Sequence, residues 1–235
     1  MTGTHDIEPR LARIPCLEDM IDRMITTLPN DRGQAFRFLN LGGGTGILSE
    51  RLLDQFTETD CTLIKASETQ RDAARERLSA FGDRVEILGG DFARIDLPRD
   101  FDLVISLGRF HQLGDIERRG LYRSAYSILL PGGQLSIGDE VHGTTPRLEA
   151  MYQSAWADEI PNQDNKILGG EILDLEPDRI LNEGCEPKGI YLNNDLAWLA
   201  TVGFRDVDIF YKNLRYAVYG ARRPVASEHT FNALR

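Results

Sequence analysis

Four groups of residues in this sequence have the types and spacing for chemistry. The first is the turn "NLGGGTG", where Gly42, Gly43, Gly44 and Gly46 follow an apolar run and precede a helical pattern. Glycines there let backbone N–H groups approach a ligand where a Cβ would clash. The second is His111 in "RFHQL". An imidazole titrating near ~6.5 is a natural proton acceptor at neutral pH. The third is "GDEVH", whose Asp139, Glu140 and His142 offer a carboxylate that can orient a histidine. The fourth is a pair of cations, Lys65 and Arg109, a positive corner suited to a carboxylated substrate. Each has a plain alternative: a histidine packed for shape, or an arginine solvated at the surface.

Those residues need elements to hold them. "LEDMIDRMITTLP" puts Leu17, Met20, Ile21, Met24, Ile25 and Leu28 on one helical face, and Pro29 closes it. "AFRFLNL" reads as a strand, and "GILSERLLDQF" as the helix after the glycine turn. "CTLIKA" is a second strand. Ser67, with Gln70 three residues on, forms a capping box for the helix "ETQRDAARERLSAF", which turns Ala74, Leu78 and Phe81 inward. "RVEILGGDF" and "FDLVISLG" are a third and fourth strand, followed by the helix "DIERRGLYRSAYSILL", a "PGG" turn and the strand "QLSIGDE". Strands alternating with helices imply crossover units and a parallel sheet. The near-continuous apolar run "DLVISL" fits burial on both faces.

Residues 142–190 break the alternation and are read as an insertion holding two helices, "PRLEAMYQSAWADEI" and one around "EILDLEPDRIL". Its Tyr152 and Trp156, with the neighbouring Tyr191, are either walls for a flat substrate or plain core. Regularity returns at "NNDLAWLATVGF", with Asn194 as helix cap and Gly203 as its end. "RDVDIFY" and "LRYAVYGA" form an antiparallel hairpin. The expected fold is α/β: a Rossmann-like, doubly wound seven-stranded sheet, mostly parallel, with an antiparallel C-terminal hairpin and helices on both faces. One domain spans 1–235. Residues 1–30 supply a helical lid, and 142–190 forms part of the substrate pocket.

Composition narrows the function. A net charge of −10 over 235 residues disfavours a nucleic-acid partner, whose phosphates need clustered Lys and Arg. Cys16, Cys61 and Cys185 form no CxxC pair, and His5, His111, His142 and His229 show no ligand spacing, so no metal site is expected. No run reaches membrane-spanning length and "MTGTHDIEPR" lacks a signal-peptide pattern, so the expectation is a cytoplasmic protein with no membrane partner. The tail "ASEHTFNALR" is either a frayed end or an oligomer contact, as in a homodimer.

The glycines fit two ligands, a dinucleotide or S-adenosylmethionine. The dinucleotide fingerprint GxGxxG fails at Ile47, and the second crossover half it requires gives way to a hairpin. From about residue 13 to residue 224 the chain resembles class I S-adenosylmethionine-dependent methyltransferases, in their small-molecule branch. The resemblance is carried by "NLGGGTG", "GGDF", "FDLVISLGRFHQL", "LLPGG" and "VGFRDVDIFYKNLRYAVYGARR", in that order. It implies S-adenosyl-L-methionine as cofactor and S-adenosyl-L-homocysteine as product. Gly42, Gly43, Gly44 and Gly46 would cradle the cofactor, with Asn40, Lys65, Ala66 and Leu107 around it. Asp91 resembles the acid that accepts from the adenine amino group, with Phe92 along the ring. His111, Asp139 and His142 are the catalytic candidates.

Two positions depart from the family pattern. Asn40 stands where an acid usually precedes the first glycine. Lys65 stands where an acid usually grips both ribose hydroxyls, and a lysine can only donate. Three readings follow: Glu68 reaches back to do the job, Lys65 is solvated while backbone holds the ribose, or the ligand carries an extra anionic group. The leading function is methyl transfer to a small-molecule acceptor through an O, N or C nucleophile. The alternatives are a non-methylating relative with a modified or structural cofactor, and a catalytically inactive binding protein of the same fold.

Overall fold

Alternate residues of the central strands go to opposite faces of one sheet, as the apolar runs require. Phe38, Leu63 and Leu103 join the core under the first three helices, while their neighbours Leu39, Ile64 and Val104 join the core on the other face. In the computed structural model, which describes residues 14, 16–28, 34–42, 45–91, 96–155 and 189–225, the chain runs α1 (Leu17–Thr26), β1 (Phe36–Leu41), α2 (Ile47–Gln55), β2 (Thr59–Lys65) and α3 (Glu68–Leu78). A 3-10 turn (Ser79–Arg84), β3 (Val85–Gly89), β4 (Phe101–Leu107), a second 3-10 turn (Phe110–Gln112), α4 (Asp115–Ile128) and β5 (Leu129–Glu140) follow. Then come α5, described over 146–155, α6 (Leu192–Val202), β6 (Arg205–Asn213) and β7 (Tyr216–Arg222).

The seven strands lie in the order β3-β2-β1-β4-β5-β7-β6. The pairs β1–β2, β2–β3, β1–β4 and β4–β5 are parallel, whereas β7 is antiparallel to both β5 and β6. Strand order therefore reverses between β1 and β4, the switch point beyond which open sheets of this kind hold ligands.

Local chemistry explains most element ends. Ser67 Oγ accepts from the Gln70 N–H at 3.4 Å at the start of α3, and Gly203 closes α6 with a φ of 116°. Three expectations are corrected. The helix expected to run on to Phe81 ends at Leu78, and the chain tightens into a 3-10 turn. Asn194 does not cap α6: the helix begins at Leu192, and the Asn194 N–H donates to Tyr191 O at 2.9 Å. The reason lies upstream, where Ile190 bridges to Val141 and fixes the approach to the helix. The "PGG" turn is a bulge inside β5, since Phe101 pairs with Leu129 but Leu103 with Gln134. Its backbone is paired with the end of the hairpin, Gly132 N to Arg223 O at 2.7 Å and Arg223 N to Gly133 O at 2.8 Å.

Helix α1 lies on the sheet, with Met20, Ile21 and Met24 in the core. It crosses β5 so closely that a Cβ at Gly138 would stand 2.9 Å from both Met24 Sδ and Leu107 Cδ1. Such overpacking costs about 1–3 kcal/mol. Both atoms lie near the ends of flexible side chains, so Gly138→Ala should lower the unfolding free energy by an amount near the bottom of that range, read in urea as a lower midpoint with an unchanged slope.

Candidate active site

The glycine turn is built by β1 ending at Leu41 and α2 starting at Ile47. Gly42 and Gly46 take φ values of 73° and 94°, a left-handed backbone that glycine adopts without strain. Gly43 and Gly44 lie outside the described residues. Asn40, fully buried, donates from Nδ2 to Ser49 Oγ at 2.8 Å, so one arm of its amide braces the first turn of α2. Ser49 also contacts the buried Cys61, whose thiol burial pushes up to about 12, the Ser49 hydrogen bond offsetting only part of the rise. Such a thiol is inert at neutral pH. In the turn itself, Thr45 Oγ1 is buried with no hydrogen-bond partner among the described residues.

Beneath the turn, at the carboxyl ends of β1, β2 and β4, is a cavity of about 310 Å³. Gly42, Lys65, Ala66, Asp91, Arg109 and Leu113 line it, with Gln70, Gln112 and Glu117. That volume falls at the small end of the range for small-molecule sites. The expected cofactor residues Gly42, Lys65, Ala66 and Asp91 are thus brought to one place, whereas Leu107 sits in the sheet core and Phe92 lies outside the described residues.

Lys65 is the last residue of β2, in register with Gly89, and is 1% exposed. A solvated lysine is therefore corrected to a buried one on the cavity wall. Glu68, one turn on, is 81% exposed, pairs with Arg71 at 3.9 Å and does not line the cavity. Arg71 also clasps the strand end, donating to Lys65 O at 3.1 Å and Ala66 O at 2.8 Å.

Asp139 organises the opposite rim. Its Oδ2 accepts from Arg109 N at 2.8 Å and Phe110 N at 2.6 Å, and its Oδ1 meets His111 Nδ1 at 2.5 Å. Oδ1 also accepts from Glu140 N at 2.7 Å. The side chain is fully buried, so these bonds answer a charge that water cannot reach. The carboxylate is an acceptor, so Nδ1 carries the proton and Nε2 is the basic nitrogen. Of the "GDEVH" carboxylates, Asp139 is the one in contact with His111.

His142 stands apart from that pair. Its Nδ1 lies 3.3 Å from Glu149 Oε2, and its ring is 5.5 Å from that of Tyr191. Burial pushes the Glu149 carboxyl up, but the Gly143 N–H, His142 and Gln153 together hold it below its ordinary value. A Cβ on Gly189 would fall 1.9 Å from His142 Nε2, so glycine is required beside the ring. Glu140 is paired with Arg215. Tyr152 is engaged at the hairpin tip, its ring 4.6 Å from Lys212 Nζ, and Trp156 lies outside the described residues.

Residues 38–133 match the family model described as a methyltransferase domain. These residues, which run from β1 into β5 without the hairpin, are thus similar to a methyltransferase domain. A malonyl-[acyl-carrier protein] O-methyltransferase of Priestia megaterium is 26% identical over 136 residues, 58% of this chain and 47% of that protein. A methyltransferase of Geobacillus kaustophilus without an assigned role is 33% identical over 119 residues, 50% of this chain and 52% of its own length. The chain thus spans about half the length of the curated relatives it matches. Among solved structures, the methyltransferase SibL superposes with a TM-score of 0.61 at 19% identity, over 95% of this chain and 64% of SibL. Human N-acetylserotonin methyltransferase in complex with SAM gives 0.60 at 18% identity, over 91% of this chain and 54% of that one. These likenesses support the fold. Among the described residues, no helix is long and apolar enough to cross a membrane.

Sequence reasoning missed Arg118, Tyr122, Asp195 and Tyr219, which meet in a buried polar network between α4, α6 and β7. Its one sequence signal is a charge on an otherwise apolar helical face, Arg118 beside Leu121, Tyr122 and Ala125.

Asp139→Ala removes the acceptor for three backbone N–H groups, those of Arg109, Phe110 and Glu140, each costing about 1–3 kcal/mol when left buried and unpaired. Chemical denaturation should show a loss in that range or above, and Asp139→Asn, which keeps one carbonyl oxygen, a smaller one.

Proposed function

We propose that the protein transfers a methyl group from S-adenosyl-L-methionine to a small-molecule acceptor, releasing S-adenosyl-L-homocysteine. The observation that carries this reading is one cavity at the switch point, walled by the glycine turn and Asp91 on one side and by the loop that Asp139 fixes on the other. The buried Thr45 hydroxyl in the turn, with no hydrogen-bond partner among the described residues, fits a site completed by a polar ligand.

In this reading the Gly42–Gly46 backbone holds the amino-acid and ribose portion of the cofactor, and Asp91 accepts from the adenine amino group. When bound, S-adenosyl-L-methionine supplies a methyl carbon on a sulfonium, whose bond to sulfur breaks as the bond to the acceptor forms. The protein's part is alignment and removal of one proton. His111 Nε2 takes that proton, with the Asp139 carboxylate stabilising the resulting imidazolium through Nδ1–H. His142 is a second rim residue for acceptor binding. The expected lid at 1–30 and the expected pocket segment at 142–190 lie largely outside the described residues. The names of several relatives favour an oxygen nucleophile. The acceptor is a metabolite rather than a nucleic acid, consistent with the charge of −10. A cytoplasmic location and a homodimer complete the proposal.

The buried Lys65 favours one alternative, a relative whose S-adenosylmethionine-type ligand is modified, because an ammonium on the cavity wall suits an anionic group. Titration calorimetry decides first: saturable heat with S-adenosyl-L-methionine at a Kd below about 1 mM is expected. Its absence would leave the inactive binding protein as the better account.

Two variants then separate the roles. His111→Ala should lower turnover about 10²–10⁴-fold while S-adenosyl-L-homocysteine affinity changes little, measured by methyl transfer to whichever acceptor pool is labelled. Lys65→Asp restores an acceptor of two hydrogen bonds. It should tighten S-adenosyl-L-methionine binding by roughly one decade, the equivalent of 1.4 kcal/mol. If the natural ligand carries an extra anion, the same variant abolishes function instead.

A further inference from the structure

Asp195 lies on α6, fully buried, outside the cavity and away from the rim histidines. Its Oδ1 accepts from Arg118 Nε at 3.1 Å and from the Tyr122 hydroxyl at 2.5 Å. Arg118, 1% exposed, donates its other arms to Leu113 O at 2.7 Å and Asp115 Oδ1 at 2.6 Å. Leu113 lines the cavity, as does Glu117 in the same first turn of α4. Tyr122 also stacks on Phe110 with centroids 5.9 Å apart, and Phe110 is the residue whose N–H Asp139 holds. One carboxylate thus reaches both ends of the wall formed by residues 109–117.

We infer that Asp195 is a positioning residue for this cavity: it orients Arg118, and Arg118 fixes the Leu113 carbonyl and the start of α4. The inference rests on the cavity being the cofactor site, and it adds a residue that touches neither cofactor nor acceptor.

The energetics favour placement over stability as the role. A buried ion pair loses much of its Coulomb attraction to desolvation. Asp195 Oδ2 is buried with no hydrogen-bond partner among the described residues. Burial pushes the carboxyl up to about 6; Arg118 and the Tyr122 hydrogen bond pull it down, and Asp115 adds a smaller push upward. The groups facing it are Arg118, Asp115 and Tyr122 on α4, with Tyr219 on β7 behind Tyr122. An acid raised in the folded state contributes stability that is complete below its unfolded value of 3.8 and is lost as pH rises through about 6. At neutral pH the ionised carboxylate is therefore held at the expense of folding.

That sign makes the test sharp. Asp195→Asn keeps the size and one acceptor but loses the charge. Near neutral pH amide exchange across 109–117 should rise about fivefold with the sheet core unchanged. Its affinity for S-adenosyl-L-homocysteine should fall about tenfold, by calorimetry. In the parent protein the same loosening should appear on acidifying to about pH 5, and the variant should show no such step. Arg118→Lys, which keeps the charge but cannot hold three partners at once, should reproduce the exchange and affinity changes. Unchanged exchange at 109–117 in Asp195→Asn overturns the inference, as does a lower Tm with exchange raised uniformly. The exchange arm uses the free protein. A parent that binds no S-adenosyl-L-homocysteine would therefore count against the cofactor reading alone.

Discussion

The buried carboxylate of Asp139 is the interaction on which the rest of the site depends. Sheet register delivers it. Leu107 on β4 pairs with Gly138 on β5, so Asp139 is the next residue out, level with the chain leaving β4. Gly108 turns there with a φ of 68°, and its N–H donates to Gly138 O at 2.8 Å. The following amides, of Arg109 and Phe110, then point at Asp139 Oδ2. A buried carboxylate without donors is costly, and a buried amide without an acceptor is costly too. Each settles the other, so the end of β4 becomes a fixed corner rather than a loop. His111 is held by the same carboxylate. A slip of one residue in β5 would send the carboxylate to the opposite face and undo all three contacts.

This dependence also shows which parts of the molecule were legible from sequence. The parallel strands, the helix between each pair and the terminal hairpin follow from local periodicity, because burial on two faces leaves continuous apolar runs. The glycine turn was legible for the same kind of reason, since φ values of 73° and 94° at Gly42 and Gly46 favour glycine whatever else is nearby. The β5 bulge was not: "PGG" reads as a turn until Arg223, far along the chain, supplies partners for its backbone. Asn194 has the right propensity for a cap but lies inside the helix, because the Val141–Ile190 bridge sets where the helix can start. In each case a non-local hydrogen bond outweighed a local preference.

The candidate site divides the same way. Asp139 and His111 could be paired from their positions at the ends of neighbouring strands. The Arg118–Asp195 contact spans 77 residues of chain and leaves only a faint trace, one arginine and one aspartate on the buried faces of their helices. The departures at Asn40 and Lys65 were visible as letters, but their physical meaning was not. Asn40 proves to support the turn through Ser49. A residue in the usual cofactor-binding position thus has an architectural role as well. Lys65 proves to be buried on the cavity wall, an environment that its letter alone does not reveal.

Two buried carboxylates, Asp139 and Asp195, therefore frame the cavity wall, and what lies between them matters. Tyr122 has one hydroxyl proton and gives it to Asp195, so its oxygen must accept from Tyr219, 3.1 Å away. The proton of Tyr219 is thereby directed at the Tyr122 oxygen. Burial raises both phenols well above their ordinary value, and the Asp195 charge raises them further, with Asp139 adding to the rise at Tyr219. Both tyrosines stay neutral across the working pH range and cannot add a third anion to this face of the sheet. Asp139 takes its donors from the amides of Arg109 and Phe110 and from His111, while Asp195 acts through Arg118, so each carboxylate holds its own end of the wall.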